Sequence, residues 1–401
     1  MKFAITTLGC KVNQYESQLL RESLVACGHR EQPFDSPGAE VYIVNTCTVT
    51  HRSDAQARNL LRRALKHKGR VVATGCLARV YPDQIRAVSP DIEVVPFEAL
   101  GEALGVDLLT RVTGFHGHSR AFVIVQQGCS NSCTYCVVPH ARGLPRSRPW
   151  QEVVEEIGGL YEAGFREAVI SGINIGLYQG GLAFLLQKIL ENTPMPRIRI
   201  SSIEPWILTD ELIHLASGEP RICRHLHVPL QSGSDDILAR MGRPYGSGYF
   251  RSLVEKILSL DSGIAVGTDV VVGFPGEGER EFEHTRALLE EIGVAYLHVF
   301  PFSPRPGTPA ASWGPRPDPR TVGRRVAVLR DLSCRKRERF IRSQLGSLAE
   351  VLVTHMETGF FEGITSNYLS VRAKGEAGIN DLAGVLLEEF HEGRLLGRAV
   401  G

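Results

Sequence analysis

Cys129, Cys133 and Cys136 stand together in the stretch QGCSNSCTYCVVPHARG (127–143), a C-x3-C-x2-C spacing. Three thiolates so close together suit a metal cluster. A cube-shaped 4Fe-4S cluster normally takes four thiolates. Three therefore leave one iron with a position free to chelate a small molecule, much as a catalytic metal keeps one open for substrate. A structural zinc fits less well, because it calls for paired C-x2-C units and a fourth Cys or His at matching spacing. His140 is the only nearby candidate. Ferredoxin runs are spaced more tightly and supply all four ligands.

A second trio is spread along the first hundred residues. Cys10, Cys47 and Cys76 each come at or just after the end of an apolar, β-rich run (2–8, 41–46 and 70–75), with a further run at 92–96 and helical patterns between them. Such alternation predicts an open parallel sheet with helices on both faces. Its strand carboxyl ends gather along one edge, where ligands bind. Each interval between the cysteines is about one βαβ unit, so topology can bring the three thiols together. The contexts LGCKVNQYES, NTCTVT and TGCLAR put each in a loop. Cys27, Cys223 and Cys334 read as small apolar space fillers.

Six candidate strands follow at 121–126, 167–172, 197–202, 225–230, 266–274 and 295–300, again alternating with helical patterns. Repeated β-then-α units imply right-handed crossovers and a curving parallel sheet. Six units, where a full barrel has eight, predict an incomplete (β/α)6 barrel. Polar or glycine-containing segments follow the strands, and barrel chemistry collects at that face. The first cysteine loop follows the first strand and belongs there too. His225 and His227, two apart on one strand, read as packed or hydrogen-bonded groups. No His-Glu-x-x-His, P-loop or Gly-x-Ser-x-Gly element supports zinc proteolysis, that type of NTP hydrolysis or elbow-serine chemistry.

Residues 303–320 hold six prolines and read as an irregular connector. The stretch 320–342 is helical in pattern, with nine Arg/Lys against Asp331 and Glu338. Strand-like runs at 348–354, 363–373 and 384–390 predict a small all-β barrel, a form that binds oligonucleotides on a strand face. The expected units are 1–105, 120–303, a linker and basic helix at 304–342, and 343–401.

The 401 residues exceed one average domain, and 45 basic residues against 44 acidic ones give no global signal for nucleic acid. Any such case rests on local clusters. Residues 51–70 carry seven Arg/Lys against Asp54, and a basic run beside an active site is a phosphate-tracking candidate. By that criterion Arg62, Arg63, Arg142, Arg146, Arg335, Arg337 and Arg372 are candidate RNA contacts. Phe360, Phe361 and Tyr368 are candidate stacking groups, against the ordinary alternative of core packing. No run approaches the roughly 20 apolar residues of a membrane helix, and the apolar start at 3–8 is too short for a signal peptide. Six cysteines reserved for iron require a reducing compartment, so the chain reads as cytoplasmic.

The C-x3-C-x2-C spacing with Tyr135 before its third cysteine resembles the radical S-adenosylmethionine enzymes. TLGCKVNQYES, NTCTVT and GCSNSCTYCVVPHARG together resemble their methylthiotransferase family. The resemblance implies a six-unit open barrel and two 4Fe-4S clusters. One is held by Cys129, Cys133 and Cys136, and an auxiliary one by Cys10, Cys47 and Cys76, which carries or delivers the inserted sulfur. It implies two molecules of S-adenosylmethionine: one donates methyl, and the other is cleaved to a 5'-deoxyadenosyl radical. By the same analogy Tyr135 and Phe274 or Pro301 lie near adenine, Gly172 to Asn174 near the methionine moiety, and Glu204 and Gln231 on polar atoms. Many radical enzymes have Gly-Gly-Glu where this chain has Ser-Gly-Ile-Asn. The C-terminal segment resembles the TRAM domain of RNA-modifying enzymes.

Within the family the motifs look most like the branch that converts threonylcarbamoyladenosine, beside the anticodon of certain tRNAs, to its 2-methylthio form. Competing branches act on isopentenyladenosine in tRNA or on a ribosomal-protein aspartate. A competitor of another class is a non-enzymatic RNA-binding iron-sulfur sensor. The implied partners are a tRNA anticodon loop and an electron donor such as flavodoxin or ferredoxin, with the chain monomeric and free of membranes.

Overall fold

In a computed structural model that describes residues 1–115 and 117–400, the chain opens with five parallel strands: β1 (Lys2–Thr7), β2 (Arg30–Glu31), β3 (Val41–Thr46), β4 (Arg70–Thr74) and β5 (Ile92–Val94). Their order is β2-β1-β3-β4-β5. All six residues of β3 are buried, because a central parallel strand has helices on both faces. Tyr42 and Val44 pack with Ala57 and Leu61 on one side, and Val41 and Ile43 with Leu20 and Leu24 on the other. This order turns back on itself between β1 and β3, and ligands collect outside the strand ends at such a switch point. The loops after those two strands carry Cys10 and Cys47.

The helix Lys11–Ala26 joins this sheet to the next unit. Leu20 and Leu24 face the N-terminal sheet, while Val12, Tyr15 and Leu19 belong to the apolar cluster of the barrel. Cys10, at the start of that helix, is thereby delivered to the junction. The central strands are β6 (Ala121–Gln127), β7 (Arg146–Ser147), β8 (Glu167–Gly172), β9 (Arg197–Ile200), β10 (His225–His227), β11 (Ala265–Val272) and β12 (Tyr296–Pro301). The ladders β7-β6-β8-β9 and β10-β11-β12 are linked by single parallel bridges, Ile198 to Ile222 and Ser202 to His227. Six parallel strands thus curve into the expected partial barrel. Among the described residues no ladder joins β12 back to β6, so the barrel stays open. The short antiparallel β7 was not foreseen; two residues are too few to carry a pattern.

The proline-rich segment after β12 is irregular, as expected, but it grips the N-terminal unit. Arg305, 2 % exposed, donates to Asp54 Oδ2 at 2.6 Å and Thr48 Oγ1 at 2.7 Å, and Tyr81 Oη donates to Pro306 O at 2.7 Å. The helix Pro319–Ser343 follows, capped by Asp318. Part of its positive charge is used internally: buried Arg325 pairs with Glu277 at 2.7 Å, and Lys336 Nζ donates to Ile292 O at 2.7 Å.

The C-terminal strands β13 (Leu348–Glu357), β14 (Phe360–Thr365), β15 (Ser370–Lys374), β16 (Leu382–His391) and β17 (Arg394–Ala399) close into a TRAM-like barrel. The run 363–373, expected as one strand, is broken by a turn in which Tyr368 adopts a φ of 67°. This barrel docks on the central one through that turn. Arg197 Nη1 donates to Ile364 O at 3.0 Å, Arg199 Nη1 to Ser366 O at 2.9 Å, and Asn367 Nδ2 to Gly263 O at 3.2 Å. No helix among the described residues is long and apolar enough to cross a membrane.

Candidate functional site

The loop after β6 holds Cys129, Cys133 and Cys136 with help from two other strand ends. Asn174, buried after β8, accepts nothing from the loop but points its amide at Cys129 Sγ, 3.8 Å away, while its backbone N–H donates to Gln126 Oε1 at 2.8 Å. Arg243 Nη1 donates to Cys133 Sγ at 3.4 Å and is paired with Glu204 at 2.9 Å. Its guanidinium also lies over Trp206 and Tyr245, 5.1 and 5.6 Å from the ring centroids, which holds the cation in place. Burial pushes the Cys136 thiol up to about 12, with Cys133 and Cys129 adding to the rise. Burial also raises Cys133, against the opposing pull of Arg243.

Glycine lets the second trio meet. Gly9 has a φ of 108°, and a Cβ there would sit 2.9 Å from Cys47 Cβ; Gly75 has a φ of 87°, and a Cβ there would sit 2.4 Å from Thr46 O. Both conformations and both approaches exclude a side chain. Asn13 stitches the first two loops together, its amide donating to Leu8 O at 2.8 Å and Thr46 O at 3.0 Å. Burial pushes the Cys76 thiol up to about 11; Arg142 opposes this, and Cys10 and Cys47 reinforce it. The three thiols therefore act on one another, although they come from three separate strand ends.

Both sets fit an iron cluster better than a single ion. All nine cysteines are free. A tetrahedral zinc with Zn–S of about 2.3 Å needs ligand atoms about 3.8 Å apart. Among the described residues the one metal-spaced group with ligand atoms within 4.8 Å of one another is His227, Asp269 and His298, not either cysteine trio. Thiols that neighbour one another yet are wider apart than one ion permits suit a larger core. Metal ligands must be deprotonated, so loading these raised thiols releases protons.

The two cysteine loops abut. Cys76 stands in the first turn of a short helix (Gly75–Val80), where a loop was expected, and that helix packs against the short helix after Cys136 (Val138–Arg142). Arg142, at the end of that second helix, crosses to the first unit and pairs there with Glu16; its Nη2 donates to Asn13 Oδ1 at 2.6 Å. A cavity of about 280 Å³ is lined both by Val49 and Thr50, just past Cys47, and by Tyr135 and Cys136, with Gln231, Pro301 and Arg305 completing it.

The expected contact residues divide accordingly. Tyr135, Gln231 and Pro301 line this cavity, and Gln231 is held in left-handed backbone at a φ of 71°. Phe274 does not line it: fully buried, it backs Tyr135 at 6.2 Å between ring centroids, an apolar support where a contact was expected. Gly172 abuts Gln126 O, which a Cβ would meet at 2.6 Å. Asn174 and Glu204 stand beside cysteines as described.

Of the candidate RNA contacts, Arg62, Arg63, Arg146, Arg335 and Arg337 are exposed, and Arg372 is partly so. Arg62 bonds Asn59 at 3.0 Å, Arg63 pairs with Asp35, Arg335 with Asp331, and Arg372 with Glu357 at 2.6 Å. Arg142 differs. At 8 % exposure, fixed by Glu16 and Asn13, it is an internal strut and presents no charge to a phosphate. Phe361, at 1 % exposure, is core. Tyr368 faces the central barrel, its ring under Arg199 at 5.0 Å. Sequence reasoning missed Arg243, Arg305, Asn13 and Glu16. The last two carry a readable signal: an amide and a carboxylate three apart in the first two turns of an amphipathic helix, with no cation three or four positions from the carboxylate.

Comparison with known proteins agrees with this geometry. The profile of the radical SAM superfamily matches residues 123–289, and that of uncharacterized protein family UPF0004 matches residues 2–96. Threonylcarbamoyladenosine tRNA methylthiotransferase MtaB of Bacillus subtilis is 35 % identical over 93 % of this chain and 90 % of its own. The tRNA-2-methylthio-N(6)-dimethylallyladenosine synthase of Anaeromyxobacter sp. is 33 % identical over 88 % of this chain and 84 % of its own. Among solved structures, the radical S-adenosylmethionine methyltransferase TsrM from Kitasatospora setae, 14 % identical, superposes with a TM-score of 0.58 over 77 % of each chain.

Proposed function

The chain belongs to the tRNA methylthiotransferase family of radical S-adenosylmethionine enzymes, and from that premise we propose that it places a methylthio group on carbon 2 of threonylcarbamoyladenosine next to the anticodon. The observation that carries this reading is a cavity that touches both the segment just past Cys47 and the loop of Cys136. Cys129, Cys133 and Cys136 would hold one 4Fe-4S cluster, and Cys10, Cys47 and Cys76 the other. When bound, the clusters and S-adenosylmethionine supply the reducing electron, the radical chemistry, the sulfur and the methyl group.

The residues of the chain arrange the setting. Arg243 directs a donor at Cys133 Sγ, which favours the charged form of that thiol, and Asn174 braces Cys129. Tyr135, backed by Phe274, gives an apolar wall suited to an aromatic base, and Gln231 and Glu204 offer polar partners to S-adenosylmethionine. Arg305 closes the cavity from the linker side.

The reacting adenosine must leave its stack to enter, as RNA readers do with loop bases. Arg62, Arg63, Arg146, Arg335, Arg337 and Arg372 would track the surrounding phosphates. In this reading residues 1–105 deliver sulfur, 120–303 perform the radical step, 304–342 connect, and 343–401 form the TRAM unit that helps bind tRNA. The protein works as a cytoplasmic monomer served by a flavodoxin or ferredoxin.

Mass spectrometry of tRNA nucleosides from a strain lacking the gene tests the assignment. Loss of 2-methylthio-threonylcarbamoyladenosine with accumulation of its precursor is expected. Unchanged levels of that nucleoside, or loss of the isopentenyl counterpart in its place, would overturn it. Failure of the reduced, reconstituted protein to cleave S-adenosylmethionine would instead point to the non-enzymatic sensor.

A further inference from the structure

A second cavity, of about 250 Å³, lies where all three units meet. Lys11 reaches it from the N-terminal unit, Arg120 and Arg199 from the central barrel, and Tyr368 from the C-terminal barrel. Asp269 and Phe300 line both this cavity and the one beside Cys136, so the two spaces adjoin.

The charges around it do not balance. Fully buried Glu167 is shared by three guanidinium groups: Arg199 at 2.6 Å, Arg197 at 2.7 Å and Arg120 at 3.8 Å. Lys11, partly buried one residue after Cys10, makes no ion pair among the described residues. The acid that lines the cavity, Asp269, faces two histidines, with its Oδ1 3.1 Å from His227 Nε2 and 3.2 Å from His298 Nδ1. His225 is committed to Tyr296 Oη at 2.7 Å, and the second nitrogen of His227 to Ser202 Oγ at 2.7 Å. Three cations, Lys11, Arg120 and Arg199, thus line the cavity; two of them share Glu167 with Arg197 behind its wall, and the one acid in its lining is held by imidazoles. Like charges gathered at low dielectric destabilise the folded chain unless something neutralises them. The Tyr368 ring, 5.4 Å from the Arg120 guanidinium and 5.0 Å from that of Arg199, steadies the cations but carries no charge to offset them.

An anion completes this cavity, and the proposed substrate brings one. The threonyl group attached to the adenine nitrogen ends in a carboxylate and bears a hydroxyl, whereas a dimethylallyl group is wholly apolar. We propose that Lys11, Arg120 and Arg199 form the pocket that receives the threonyl carboxylate of the substrate base, and so select threonylcarbamoyladenosine over apolar N6-substituted adenosines. This inference rests on the substrate assignment made above. Arg199 is pre-positioned by Glu167 and by the C-terminal turn, so docking of that barrel shapes the pocket. A site built to pair a charged group rejects an analogue lacking it far more strongly than an apolar pocket rejects a small misfit. An RNA backbone phosphate offers the same charge, and the test separates the two.

Full-length, cluster-reconstituted protein is titrated with three anticodon stem-loops. One carries threonylcarbamoyladenosine, one its carboxamide analogue, and one unmodified adenosine. The wild type is expected to bind the acid at least about tenfold more tightly than the amide, a gap typical of a charge-assisted contact. Lys11→Met and Arg120→Met bring that ratio to near one, and Lys11→Arg keeps it. Iron content is measured for each variant because Lys11 adjoins Cys10; Arg120 is remote in sequence from all six ligands and carries the test if Lys11→Met loses iron. An acid-to-amide ratio unchanged in both Met variants overturns the proposal. So does equal weakening of all three stem-loops, which identifies a phosphate site. If wild type shows the carboxylate preference yet methylthiolates only the isopentenyl substrate, the substrate reading fails while the pocket stands.

Discussion

Cys129, Cys133 and Cys136 hang on one loop after β6, whereas Cys10, Cys47 and Cys76 follow three strand ends, the last within a short helix, that only the strand order β2-β1-β3-β4-β5 brings together. The local trio owes its shape to one backbone segment, braced from outside by Arg243 and Asn174. The dispersed trio owes its shape to a sheet edge and to two glycines that let neighbouring loops touch. Each has one buried arginine held by a glutamate: Arg243 with Glu204, and Arg142 with Glu16. They differ in where that arginine originates. Arg243 belongs to the barrel it serves; Arg142 comes from the local trio's loop and serves the other trio. A shared chemistry is thus supported by one self-contained arrangement and one borrowed across a domain boundary.

The largest expected effect separates the two trios by function. Cys133→Ala should abolish cleavage of S-adenosylmethionine, followed as 5'-deoxyadenosine, whereas Cys47→Ala should retain cleavage and lose the methylthio product. Each should also bring reconstituted iron from about eight to about four per chain. Equal loss of cleavage in both would break the comparison.

Next, Arg142→Met leaves Glu16 buried without its cation and should destabilise the protein by about 3–5 kcal/mol in denaturant titration. Arg243→Met, whose partner Glu204 is more exposed, should cost less. The reverse order would mean that the borrowed arginine is not the stronger brace.

Gly75→Ala forces a side chain into left-handed backbone against Thr46 O, at about 1–3 kcal/mol. It should lower iron towards about four while cleavage persists, and unaltered iron would show that the dispersed trio tolerates displacement of its loops. Smallest, Arg335→Ala removes an exposed pair with Asp331 and should change stability by less than about 1 kcal/mol. On tRNA it should reduce the slope of log affinity against log salt by about one; an unchanged slope would take that helix face out of the RNA path.

Much of this architecture was readable because its signals are either local or periodic. The C-x3-C-x2-C spacing sits in one loop, and the dispersed cysteines recur at the interval of a βαβ unit, so both trios could be found without a structure. Arg142 was misread as an RNA contact because its partner Glu16 lies 126 positions away, and a basic residue beside a cysteine loop looks the same whether it faces solvent or a buried carboxylate. Phe274 illustrates the converse: an aromatic after a strand is equally apt to touch a ligand or to back the residue that does. Tyr368 was a candidate stacking group because a run of strand-forming residues hid the turn at 365–370, and only the docking of the two barrels shows that its ring faces Arg199 and Arg120. β2 and β7, at two residues each, exist through pairing with a neighbour and leave no pattern of their own.

Arg142 also limits how this protein can be recombined. A chimera that fuses the first 105 residues to a foreign barrel severs the guanidinium from Glu16 and Asn13, leaving a sequestered acid and an unsatisfied amide at the seam. Viable hybrids must therefore transplant the strut together with its sockets, and the boundary between exchangeable parts lies beyond Arg142, not in the connector where a sequence-based cut would fall.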